Sequence, residues 1–285
     1  EPYRRQRQMC IRDRPYDIER AVRSGGSFHI KKAFESMKEI DYTRVCFADL
    51  TQGFPYADPD AVCEELREMH YRLYNRYALY INRPFSFEKK YPLSFSEGRY
   101  FYLSENGSCR LGSDTMNSSY LYYEALKNIK SEMEKCGRNA EAEIEKYRKN
   151  VIYRPGNFIV FPKNSRNSIN TARGRCEKIK DRFDLTLDCI KKQYADKDNP
   201  LSWVLRKHWE DFFCRFNDFK EYVLFFMLED YLDEKDNVMR FIDNEEHILP
   251  QTLEEYDEYI KRVSFVVHKR TERILCRLKE NKLSL

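Results

Sequence analysis

A helix-dominated α+β domain with a small, mostly antiparallel sheet is the fold class this sequence predicts, and three observations predict it. Apolar residues recur at steps of three and four over most of the chain, the period of helices with one buried face. Short runs of strand formers cluster between residues 91 and 161, with Asn106-Gly107 where a tight hairpin turn would fall. Cap-then-proline and capping-box signals open several of the helical runs. With 285 residues the chain can bury a sizeable core, and 21 Tyr and 19 Phe mark it as folded, not disordered.

Taken in order, residues 1–14 have no helical or strand period and resemble the translated adapter sequence found at the ends of metagenomic reading frames. They are set aside as a non-native tail. Residues 15–27 form a poorly defined lead-in broken at Ser24-Gly25-Gly26-Ser27, and a single α+β domain is expected over residues 28–285. A weak helix, HIKKAFESMKEI, precedes a candidate strand at Arg44–Leu50. Asp58-Pro59 starts a helix whose Val62, Leu66, Met69, Leu73, Tyr77 and Tyr80 face inward, ending before Pro84. Strands follow at Arg99–Ser104 and Ser108–Leu111. Ser119 caps a helix carrying Tyr122, Leu126, Ile129 and Met133 inward, punctuated by Gly137, with a charged second piece to about Asn150. Val151-Ile152-Tyr153 and Asn157–Phe161 are the next strands. Asn199-Pro200 starts a helix with an aromatic stripe through Leu205, Trp209, Phe212 and Phe216. Asn217 or Asp218 opens FKEYVLFFMLEDYL, apolar nearly all round and so central to the core. A short strand is expected at Val238–Ile242, and Thr252 with Glu255 caps a long last helix.

Charge and spacing exclude several function classes. The formal charge is +4, but Arg4, Arg5, Arg7, Arg12 and Arg14 of the tail supply most of it, leaving the remainder near neutral. No apolar run reaches the roughly 20 residues that span a bilayer. The nine cysteines and five histidines show no CxxC, HxxxH or HExxH spacing, so no metal is expected from local motifs. Scattered, odd-numbered cysteines behind a basic start without an apolar h-region point to reduced thiols in a cytoplasmic setting.

The chemistry concentrates in residues 157–194, which run from an apolar strand through a basic loop, Lys163–Arg175, into a helix over residues 179–194. On a helical wheel Ile179, Phe183, Leu187, Ile190 and Tyr194 share one face. Asp181, Asp184 and Asp188 fall within about 60° of one another on the outer face. These three are the candidate catalytic carboxylates, placed to act as acid and base or to hold Mg²⁺. Lys163, Asn170, Arg173 and Arg182 are the candidate ligand-binding residues, since guanidinium and amide donors ahead of a helix make an anion cradle. Neither a Walker loop nor a dinucleotide fingerprint is present, because Gly174 stands alone. The same residues have a structural explanation: helix-dipole placement of Asp181 and Asp184, an Asp188–Lys192 pair one turn apart, and an Arg173 or Arg182 bridge anchoring the loop.

The runs NFIVFP, SINTARG, IKDRFDLTLDCIKKQY and DFFCRFNDFKEYVLFFMLEDYL, with weaker similarity over about Asp41 to Ile274, resemble a family of bacterial proteins catalogued as a domain of unknown function, number 6994. The resemblance implies that Asn170, Arg173, Gly174, Asp181, Arg182, Asp184 and Thr186 occupy the family's signature positions, and it implies no activity. The expectation is therefore a cytoplasmic protein binding a phosphate-bearing ligand, a nucleotide or similar, where loop 163–175 meets helix 179–194. Its catalytic form would be phosphoester or nucleotide hydrolysis. The alternative is a non-catalytic protein-interaction module whose Arg–Asp cluster is structural, with an apolar patch exposed on the helices of 199–232. A nucleic-acid binder, the third class, requires a basic surface continuing to Lys261, Arg262, Lys269, Arg270, Arg273 and Arg277.

Overall fold

Strand order in the sheet follows chain order, with a helical excursion between the third and fourth strands. In the computed structural model the described residues are 46–47, 63–77, 87–90, 100–103, 109–117, 127, 129–162, 168–244 and 246–283. The sheet is four-stranded and antiparallel throughout: β1 (Phe87–Lys90), β2 (Tyr100–Leu103), β3 (Arg110–Thr115) and β4 (Phe158–Pro162) lie side by side in that order. The expected strand pair around Asn106-Gly107 is present as β2 and β3, although the turn itself lies outside the described residues. All of β4 is buried, as its unbroken apolar run requires of a strand covered on both faces.

Helices carry the rest. In chain order they are α1 (Glu64–Tyr77), α2 (Ala140–Tyr147), α3 (Ile169–Arg175), α4 (Phe183–Tyr194), α5 (Ser202–Leu205), α6 (Phe219–Phe226) and α7 (Leu253–Leu283), with a further helical stretch over residues 129–135. On α1, Leu66, Met69, Leu73 and Tyr74 are buried, and on α7 Val263, Val267 and Ile274. The expected caps work as side chains. Asp218 accepts from Glu221 N at 2.8 Å to start α6, and Thr252 Oγ1 accepts from Glu255 N at 3.2 Å to start α7. Each such cap contributes about 1 kcal/mol. The return half of the second box is displaced by one residue, since Glu255 accepts from Gln251 N at 2.9 Å.

Several elements differ from expectation. Val151-Ile152-Tyr153 is no strand: α2 continues through a wide turn over Arg148–Ile152, in which Tyr153 N donates five residues back to Arg148 O. The single helix expected through 201–216 is broken into α5 and short 3-10 turns, with Phe212 leaving helical backbone at φ −135°, and Trp209, Phe212 and Phe216 pack against other rings. The run from 219 stops at Phe226, where Met227 adopts φ 55°. Val238–Ile242 contributes one isolated bridge, Leu232 to Val238. The expected strand at 44–50 is described only at Cys46 and Phe47, and Phe47 lies in a 3-10 turn. The caps at Asp58-Pro59 and Ser119 and the helix at 28–40 lie outside the described residues. No described helix is long and apolar enough to cross a membrane.

Candidate functional site

Residues 169–175, expected as loop, form α3, and a tight turn then carries the chain into α4. Ile179 N and Lys180 N both donate to Cys176 O, and the next two residues enter the left-handed region, Lys180 at φ 49° and Asp181 at φ 61°. Neither is glycine, and each costs about 1–2 kcal/mol there. Arg173 holds the turn in place. Its carbonyl accepts from Asp181 N at 3.2 Å, and its Nη2 donates to Asp181 O at 2.9 Å.

Arg173 is completely buried, and its guanidinium is saturated. Nε donates to Thr186 Oγ1 at 3.1 Å, Nη1 to Asp114 Oδ2 at 3.1 Å and Thr115 O at 3.2 Å, and Nη2 to Met116 O as well as Asp181 O. An arginine has five N–H groups, and these contacts use all of them. Thr186 relays the restraint, since its hydroxyl donates to Arg182 O at 2.9 Å while accepting from Arg173. The Arg173 guanidinium also lies 5.7 Å from the Phe183 ring centre. One side chain thus ties the end of β3 to α3, the turn and the first turn of α4.

Arg182 and Asp184 form a second buried unit. Arg182 Nε donates to Asp184 Oδ1 at 3.1 Å, Nη2 donates to Oδ2, and Nη1 reaches Ile248 O at 2.9 Å. Phe241 N donates to Asp184 Oδ2 at 3.0 Å. Burial, with Asp184 close by, pushes the Tyr259 phenol well up, so it stays neutral beside the pair.

These positions correct the picture of an outward aspartate stripe. Asp184 is fully buried, because the chain at Phe241 and Ile248 covers the side of α4 that a helical wheel leaves facing water. Asp181 precedes the helix, with its side chain 18% exposed and Oδ1 3.8 Å from Arg173 Nε. Asp188 makes the expected one-turn pair with Lys192 at 2.8 Å. Asn170 is partly buried with Oδ1 lacking a hydrogen-bond partner, and Lys163 lies outside the described residues. Among the described residues no three His, Cys, Asp or Glu side chains gather as a metal would need.

Three participants escaped the sequence reading. The backbone groups of Phe241 and Ile248 have no sequence signal. Arg270 does: it continues the stripe of Val263, Val267 and Ile274, although its charge had put it with the basic outer face. It is buried and donates to Phe226 O at 2.9 Å, Gly156 O at 2.8 Å and Phe158 O at 2.7 Å. Other cations of α7 are engaged as well. Arg262 binds Asp243 and Glu258, Arg273 binds Asp230 and Glu229, Lys269 binds Glu272, and Arg277 caps α6 through Phe225 O and Leu224 O. A separate contact, His70 Nε2 to Ser113 Oγ at 2.9 Å, has the spacing of a base and nucleophile. Burial and the Arg270 charge push that imidazole down to about 3, which makes it a poor base.

A helix-dominated α+β fold with buried arginine clusters is the class these features define. The chain belongs to a family of unknown function (DUF6994), whose model matches residues 40–274, a span containing both arginine clusters. No curated protein and no solved structure matches it.

Proposed function

We propose that this chain is a non-catalytic interaction module and that its Arg–Asp cluster is the lock holding the fold together. The saturation of Arg173 carries this reading: with every N–H donor committed to protein oxygens, it has none left for a phosphate. Arg182 and Asp184 neutralise each other in the interior, which suits a structural pair better than an acid, a base or a metal ligand. The commitment of the α7 cations to carboxylates and carbonyls disfavours a nucleic-acid surface there. The phosphate-ligand reading keeps one observation in its favour, the unpartnered buried Oδ1 of Asn170 at the start of α3. An amide reversed at that position would present a donor.

A thermal-shift screen against nucleotides, sugar phosphates, Mg²⁺ and short RNAs separates the readings. The wild-type melting temperature is expected to stay constant across the panel, and Arg173→Met and Asp184→Asn are each expected to lower it, since a broken buried pair costs roughly 3–5 kcal/mol of stability. A wild-type shift with any phosphate compound that Asn170→Ala abolishes would overturn the proposal.

A further inference from the structure

The Arg182–Asp184 pair is enclosed by chain rather than by packed helices. Residues 238–244 and 246–251 pass over it with no regular secondary structure beyond the one bridge at Val238. What they offer the pair is backbone: the Phe241 amide to Asp184 and the Ile248 carbonyl to Arg182. The Phe241 ring sits 5.5 Å from that of Tyr231 and 6.1 Å from that of Tyr259. The fastenings are at the surface. Arg262 donates through Nη1 and Nη2 to Asp243 at 2.7 and 2.8 Å, and through Nη1 to Arg240 O at 2.8 Å. His247 Nε2 lies 2.9 Å from Glu255 Oε2. Asp243 is 78% exposed and Arg262 31%, so water reaches this latch.

Lifting such a strap differs from lifting an apolar lid. Phe241 and Ile242 lose burial and Val238, Ile248 and Leu249 lose their packing against the core, but Arg182 and Asp184 keep each other and regain the hydration that burial had removed. Segments without regular secondary structure whose fastenings lie at the surface open before helices and strands of the core do. We propose that residues 238–251 are an autoinhibitory strap, latched by Arg262, that occupies a peptide-binding slot at Arg182 and Asp184. The partner it fits is an extended peptide that brings a backbone N–H to Asp184, a carbonyl to Arg182 and an aromatic side chain between Tyr231 and Tyr259. The identity of that occupant rests on the interaction-module reading, whereas opening of the strap is measurable without any partner.

The test is hydrogen exchange on the full chain, wild type against Arg262→Ala, with Asp243→Asn as a second, milder release of the same latch. Strap amides are expected to exchange about tenfold faster in the variants, the loss of a bidentate pair and one carbonyl bond, while α4 and β4 are unchanged. A synthetic peptide copying residues 238–251 is expected to bind the Arg262→Ala protein more than tenfold tighter than wild type, and the same peptide with alanine at its Phe241 position not to bind. Strap amides that exchange only together with α4 in both variants overturn the strap. Opening without peptide binding overturns the slot, and neither result depends on the phosphate screen that tests the interaction-module reading.

Discussion

Lowering the pH from 7 to 5 is expected to destabilise this protein by about 2 kcal/mol through a single side chain, His70. The imidazole is buried, stacked on Tyr74 at 5.6 Å with an interplanar angle of 13°, and joined to Ser113 at 2.9 Å. Burial is the larger cause of its low pKa, and the Arg270 guanidinium adds to it, moving the group from 6.5 to about 3. A base whose folded pKa lies below its unfolded one binds fewer protons when folded. Its contribution is therefore complete above pH 6.5 and is lost as the pH falls towards 3, at up to about 1.4 kcal/mol per unit. From 6.5 to 5 that is about 2 kcal/mol, a large share of the 5–15 kcal/mol that typically holds a domain folded. Urea unfolding at half-unit pH steps measures it, with His70→Gln as the control, since a glutamine amide can still reach Ser113 but takes up no proton. Equal slopes for the two proteins between pH 6.5 and 5, or an imidazole NMR resonance titrating near 6.5, would refute the reasoning.

Two further outcomes follow from backbone geometry. At Gly156 an added Cβ would stand 2.0 Å from Val267 O and 2.8 Å from Thr271 N, so α7 itself must shift. Gly156→Ala should cost roughly 2–3 kcal/mol in urea unfolding, and an unchanged midpoint would show that the turn at 155–157 yields instead. Lys180→Gly relieves a left-handed residue at the price of a surface contact to Glu177, and should raise stability by about 0.5–1 kcal/mol. A lower urea midpoint would mean that the turn is not strained.

What the sequence carried well was local. The caps at Asp218 and Thr252, the antiparallel strands either side of Asn106-Gly107 and the Asp188–Lys192 pair all follow from residues within a few positions of one another. The failures share a cause. A helical wheel ranks the faces of α4 against each other but knows nothing of the chain at Phe241 and Ile248, which arrives about sixty positions later and buries Asp184. Likewise Val151 and Ile152 have strand-forming side chains, yet α2 arrives already helical and carries them on as one wide turn. Arg270 was legible in its spacing and misread through its charge.

Its position points to why this chain buries arginines. The described helices α3, α5 and α6 are short, as are the strands and the 3-10 turns between elements, and their ends leave carbonyls without ladder partners. A guanidinium, with five donors in a fixed fork, can satisfy several from one side chain. Arg173 takes the carbonyls of Thr115, Met116 and Asp181, and Arg270 those of Phe226, Gly156 and Phe158. Arg277 adds two more at the C-terminal end of α6, where a cation also complements the helix dipole. Apolar side chains of the same volume would fill the space and leave those carbonyls orphaned, at about 1–3 kcal/mol each. Asp114, Asp181 and Asp184 then offset the charge that Arg173 and Arg182 carry inward. In a chain built from short elements, a saturated arginine does what a longer helix or a wider sheet does elsewhere: it closes the hydrogen-bond account of the backbone.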